Sequence, residues 1–150
     1  MDSADFQDIP GTVLFDAQQA RRGYWLNQFC MSLMKPANRE RFKTDERRYL
    51  AEWPMSDEQR EAVLARDMNR CLELGGNVYF LVKIAATDGT SVQQMVGRMT
   101  GMSEADYRDM MLRGGRPIEG NRHRHEWTGR GEAGGPVAVK PDPEGPRHEP

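Results

Sequence analysis

The sequence predicts an all-α fold, and three observations carry that prediction. Apolar residues return at intervals of three and four through successive segments, the spacing of one helical face. Capping residues precede these segments and glycine follows them, as at Ser56, Asn77, Ser91, Ser103, Gly75 and Gly114. The single run rich in β-formers, "NVYFLVKIAATDG", has no second run to pair with. A compact multi-helix body is expected, flanked by an irregular N-terminus and a disordered C-terminal tail.

The first helix starts at Asp16 and runs through "DAQQARRGYWLNQFCMSLMK". Leu26, Phe29, Cys30, Leu33 and Met34 fall on one face, and Pro36 is expected to end it. The second, "NRERFKTDERRYLAEW", opens at Asn38 as its cap and carries a stripe of Phe42, Tyr49, Leu50 and Trp53. The third follows Pro54 and Ser56. Ser56 and Gln59 have the spacing of a capping box, in which each side chain satisfies an orphan amide of the first turn. Its buried side is Leu64, Met68, Cys71 and Leu72, with Gly75 as the stop.

The run after Asn77 is rich in valine, tyrosine and phenylalanine, which favour a strand. Asn77 as a cap, the length to Ala86 and the missing partner strand predict a helix instead. "TDGTS" reads as a tight turn in which Gly89 is free to take positive φ. Ser91 then caps the short run "VQQMVGRMTG". Ser103 and Asp106 repeat the start signal for "SEADYRDMMLR", closed by Gly114. No internal repeat is present.

The 150 residues suffice for one domain with a modest core. Residues 1–10 read as an irregular arm and 11–120 as the helical domain; residues 121–150 read as a flexible tail. Beyond Gly120 the chain has no Leu, Ile, Met, Phe or Tyr, while Gly and Pro crowd it, so it cannot bury enough surface to offset its ordering entropy. The acidic start "MDSADFQDIP" lacks the features of a signal peptide. "VYFLV" with "KIAA" is about half the length of a membrane crossing. A cytoplasmic chain with no membrane partner is expected.

Charge and composition narrow the chemistry. A formal net charge of −2 and acidic residues interleaved with "NRER" and "DERR" argue for solvated helix faces, not a nucleic-acid surface. Cys30 and Cys71 have no CxxC spacing and read as reduced core thiols. His123-x-His125-Glu126 has the composition of a non-haem ferrous ligand set. It stands in the tail, where nothing supplies a folded shell to orient ligands, and Arg122 and Arg124 place positive charge beside it. Residues 1–122 contain no histidine, no Ser/His/Asp set and no phosphate loop, so neither catalytic nor metal-ligating residues are assigned. Met95, Met99, Met102, Met110 and Met111 suit either core packing or a surface that moulds to a partner.

The order of segments carries a resemblance. "DIPGTVLFDAQQARRGYWLNQFCMSLMKPANRERFKTDERRYLAEW", "AVLARD", "GGNVYFLVKIAATDGTSVQQM" and "MTGMSEADYRDMMLRGGR" together resemble the small α subunits of protocatechuate 4,5-dioxygenases, from Asp8 to Arg116. The same domain is similar to fused segments of gallate dioxygenases and related extradiol enzymes. The resemblance implies a helical subunit docked on a larger β subunit, in an α2β2 assembly. That partner would hold Fe(II) on two histidines and a glutamate and open the catechol ring beside the diol. It implies a lid or pocket wall on this chain, for which Asp88, Gly89, Ser91, Val92, Met95 and Met99 are the candidates, with Gly89 and Gly101 allowing close backbone approach. Core packing of the same residues is the competing reading. Val92 stands where some relatives carry an aromatic, and Arg98 where a small polar residue is expected. A different class of reading is a helical interaction module that keeps the fold without the enzyme.

Overall fold

The computed structural model describes residues 6–119 and 121–123. Among these the regular structure is all helical: α1 (Ala17–Arg22), α2 (Tyr24–Ser32), α3 (Pro36–Thr44), α4 (Glu46–Ala51), α5 (Asp57–Leu64), α6 (Met68–Glu73), α7 (Val78–Thr87), α8 (Val92–Thr100) and α9 (Glu104–Leu112). None of these helices is long and apolar enough to cross a membrane.

Four of the five expected caps, Ser56, Asn77, Ser91 and Ser103, stand where the sequence places them; Asn38 does not. Ser56 and Gln59 exchange both bonds of the capping box, and Asn77 and Ser103 accept from Tyr79 and Asp106 amides. Ser91 does more than expected, forming a second capping box with Gln94.

Each of the three long segments is broken. At Gly23 the i to i−4 bonding continues through the kink, from Gly23 N to Gln19 O and from Asn27 N to Gly23 O. Only glycine fits at the bend, because a Cβ at Gly23 would lie 1.8 Å from the Gly75 carbonyl oxygen. Pro36 opens α3 instead of closing the preceding helix, because a first-turn residue needs no amide. Asn38 therefore caps backwards, its amide donating to Ser32 O at 2.9 Å at the end of α2. Asp45 is extended and caps α4 through Arg48 N, splitting the second segment. Arg66 at φ 55 and Asp67, which accepts from Arg70 N, split the third.

A non-glycine residue in the left-handed region costs about 1–2 kcal/mol. Arg66 offsets this with a forked guanidinium. It donates to both Asp88 oxygens at 2.7 and 3.0 Å and to both Glu46 oxygens at 2.6 and 3.1 Å, and lies over the Phe42 ring. The Asp88 hydrogen bonds, joined by Glu46, hold its pKa above the ordinary guanidinium value. One side chain thus ties α4, the α5–α6 turn and the end of α7.

The core gathers Leu26, Phe29, Leu33, Phe42, Leu50, Val63, Leu81 and Ile84. Phe29 is its hub, meeting Phe42 at 5.3 Å and Tyr49 at 6.0 Å between centroids, both edge-on. Met34, expected on this face, is 59% exposed, because α2 ends at Ser32 and the periodicity ends with it. Cys30 and Cys71 are free and buried. Burial pushes the Cys71 thiol up to about 12 and Cys30 higher still, the neighbouring Cys71 adding to the latter. The arginine-rich stretches are engaged within the chain: Arg41 with Glu52, Arg47 with Glu61, and Arg39 with the Leu33 and Met34 carbonyls.

Candidate functional site

Helix α6 ends in carbonyls that need donors, and side-chain amides from distant segments supply them. Gln19 donates to Leu72 O and Glu73 O, Asn27 to Gly75 O at 3.1 Å, and Gln59 to Leu74 O at 2.9 Å and Arg22 O at 3.0 Å. Gln19, Asn27 and Gln59 are all buried, so each of these bonds replaces a water that could not reach. Asn27 also accepts from Asn77 N at 2.9 Å. Gly75 takes φ 96 beneath Gly23, where a Cβ would sit 2.4 Å from the Gly23 nitrogen. This clasp fixes where α7 begins.

The first turn of α7 opens into a groove of about 480 Å³. Phe15 and Val13 of the stretch before α1, Leu72 of α6, Val78 and Tyr79 of α7, and Val96 and Met99 of α8 form its apolar walls. Arg116, Asn121 and Arg122 also line it. Two hydrogen bonds hold the stretch that leads into α1. Gln7 donates to Asp16 at 2.6 Å, and Gly11 N donates to Arg122 O at 2.9 Å. Asp16 also accepts from Gln19 N, and these two bonds lower its pKa below the usual carboxylate value.

The six residues expected to form a lid or pocket wall are only partly assembled. Asp88, Met95 and Met99 line a shallow cleft of about 140 Å³ with Arg66 and Arg98. Gly89, Ser91 and Val92 do not line it. Gly89 takes φ 74, and a Cβ there would have no atom within 4 Å. Val92 is 48% exposed, so both face outward from the α7–α8 turn. Met95 is 4% exposed and belongs to the core, whereas Met99 is half-buried against it. Ser91 accepts from Gln94 N and donates to Glu104 at 3.3 Å, tying α8 to α9.

Sequence reading missed the groove. One signal was present: α7 buries Leu81, Ile84 and Ala85, so Tyr79 lies off that stripe and is 79% exposed. A large aromatic outside the buried face marks a surface made for contact.

Among the described residues, no three His, Cys, Asp or Glu side chains are placed to hold a metal ion. The donor set does not suit ferrous iron: the thiols are buried with raised pKa, and Asp88, Glu46, Glu52 and Glu61 are taken by arginines. His123 meets Asp8, its Nδ1 lying 2.8 Å from the backbone oxygen and 3.5 Å from the carboxylate. His125 and Glu126, the rest of the suspected triad, lie outside the described residues.

A gallate dioxygenase of Pseudomonas putida is 26% identical to the chain over 104 residues. The match covers 69% of this chain but 31% of that protein, so the chain spans about a third of its relative's length. Residues 26–112 match the family described as "Aromatic-ring-opening dioxygenase LigAB, LigA subunit". With most of α2 and all of α3 through α9 inside that match, the chain belongs to the LigA-subunit family of aromatic-ring-opening dioxygenases.

Proposed function

We propose that the chain is the small, non-catalytic subunit of a ferrous extradiol dioxygenase. It covers the active site of a larger β subunit that cleaves protocatechuate to 4-carboxy-2-hydroxymuconate semialdehyde, in a cytoplasmic α2β2 assembly. The observation that carries this reading is an open, aromatic-edged groove on a helical body of the LigA family. A surface of that kind is costly to leave in water and is suited to contact with another chain. The β subunit's Fe(II), when bound, supplies the activation of catechol and dioxygen.

The work of this chain is to roof the cavity. Exposed Gly89 and Val92 at the α7–α8 turn form the face toward the substrate, with Met99 as a pliant apolar wall. Met95 packs beneath them. Asp88, gripped by Arg66, and Ser91, in its capping box, hold the turn in one conformation. Such a roof excludes bulk water and strengthens electrostatic contacts to the catecholate. The small Val92 side chain leaves room beneath the roof.

A second reading, the same role toward gallate, is favoured by the name of the Pseudomonas putida relative. One experiment addresses both readings. Co-expression with the large subunit, oxygen uptake on protocatechuate and on gallate, and a metal assay of each separated chain should give activity only from the pair, with iron on the large chain. Stoichiometric iron and catechol consumption by this chain alone would overturn the proposal; turnover of gallate but not protocatechuate would select the second reading.

A further inference from the structure

The groove differs in charge from the chain around it. The formal net charge is −2, yet Arg116 and Arg122 line the groove and, among the described residues, no aspartate, glutamate or lysine does. Arg116 is exposed and joins no ion pair among the described residues. Beside these cations stand Phe15, Val78 and Tyr79, large side chains left open to water. Tyrosine and arginine around an apolar floor are the composition of an interface centre.

From this we infer that the groove docks a segment of the larger dioxygenase subunit carrying an acidic side chain beside an aromatic or branched aliphatic one. The inference rests on the reading of this chain as the small subunit of a two-chain enzyme. The segment's carboxylate meets Arg116, whose planar fork matches it in two parallel hydrogen bonds. Its apolar neighbour covers Val78 and Tyr79. Charge decides between kinds of segment. A basic one would bring like charges together, and a wholly apolar one would strip water from the Arg116 guanidinium with nothing in return. Openness decides against a small molecule, since small-ligand sites enclose about 70–90% of their ligand and Tyr79 at the rim is 79% exposed.

Placement fits the same partner. The groove takes in the first turn of α7, and the outward-facing Gly89 and Val92 follow its last. Ten helical residues separate these ends, roughly 15 Å at 1.5 Å per residue. Docking at the groove therefore anchors the chain and leaves the far turn free.

The test measures the dissociation constant of the complete small subunit for the co-purified large subunit by calorimetry, at two salt concentrations. Reversing both arginines (R116E with R122E) should weaken binding by at least about tenfold and flatten its salt dependence. Arg116→Glu alone should move both in the same direction. Tyr79→Ser should weaken binding by about tenfold and leave the salt dependence intact. Arg47→Glu, on an exposed pair elsewhere, should bind as the unaltered chain does. Melting temperatures of the Arg116, Tyr79 and Arg47 single variants should stay within about 2 °C, since these side chains are exposed. If the unaltered chains associate and the groove variants bind equally well, the groove inference fails and the small-subunit reading stands. If the unaltered chains do not associate, both fail. Tyr79-dependent binding of benzoate, or Tyr79-dependent self-association, with subunit affinity unchanged would give the groove another occupant and overturn the inference.

Discussion

The body of α1–α7 and the hairpin of α8 and α9 are built on different principles. In the body, order comes from burial on both counts. Phe29 collects three aromatic neighbours, and Gln19, Asn27 and Gln59 fill the carbonyls at the end of α6. In the hairpin, α8 buries Met95 and Gly97, and α9 buries nothing. Its order is local: the Ser91 and Ser103 caps, and Gly97, whose missing Cβ leaves room for the Met102 carbonyl. One region is held mainly by contacts between segments far apart in sequence, the other mainly by contacts within it, tied to the body by Met95 in the core and by Asn69, which donates to Met99 O at 2.9 Å. A region of the second kind opens at low free energy, which suits a surface that must adapt to a partner.

The comparison is most sharply broken at the glycines. Gly23→Ala puts a methyl 1.8 Å from a backbone oxygen that cannot move aside, so refolding should fail or stability drop by on the order of 4 kcal/mol or more. Gly89→Ala meets no atom within 4 Å and pays only for its φ of 74, about 1 kcal/mol. Urea denaturation of the two variants measures the contrast; equal losses would erase the distinction between body and turn.

Next come the side chains. Phe29→Ala should cost about 3–5 kcal/mol, from a cavity at the centre of the aromatic cluster. Met111→Ala in α9, already half exposed, should stay within about 0.5 kcal/mol. Gln59→Ala should lie between them at about 2 kcal/mol, because it strands two carbonyls and undoes a capping box.

At neutral pH the last contrast is silent, and it appears as a pH dependence. Both thiols have folded pKa values raised above the ordinary 9.0, so the folded chain keeps protons that the unfolded chain releases. That contribution is intact below about pH 9 and is lost as pH rises toward 12. Denaturation midpoints should fall across that window, and the fall should shrink in Cys71→Ala. At pH 8 a thiol reagent should label both cysteines only as fast as the body unfolds. Rapid labelling of native chain would place the thiols outside the core.

What the sequence disclosed follows the same division. Local signals were legible: Ser56, Asn77, Ser91 and Ser103 each announce a helix start within four residues. The stripe from Leu26 to Leu33 was legible for the same reason. Breaks inside the long segments were not, because Asp45 and Asp67 sit in charge-rich runs where another acidic residue carries no weight. Asn38 looked like the cap of its own helix and serves the preceding one. The Gly23–Gly75 contact spans residues remote in sequence, and no single window contains it. The groove escaped for that reason too: the stretch before α1, α6, α7, α8 and residues near 120 meet only after folding. Of the lid residues, spacing could not tell Met95 from Met99, since one turn of helix decides which is swallowed by the core.

The junction of Gly11 with Arg122, reinforced by Asp8 and His123, brings the two ends of the described chain together. Residues 11 and 122 thus meet at one corner of the groove, beside the walls formed by Phe15 and Tyr79. Such a body can be grafted onto or inserted into a longer protein with its insides undisturbed, and the length of its Pseudomonas putida relative is compatible with that economy of architecture.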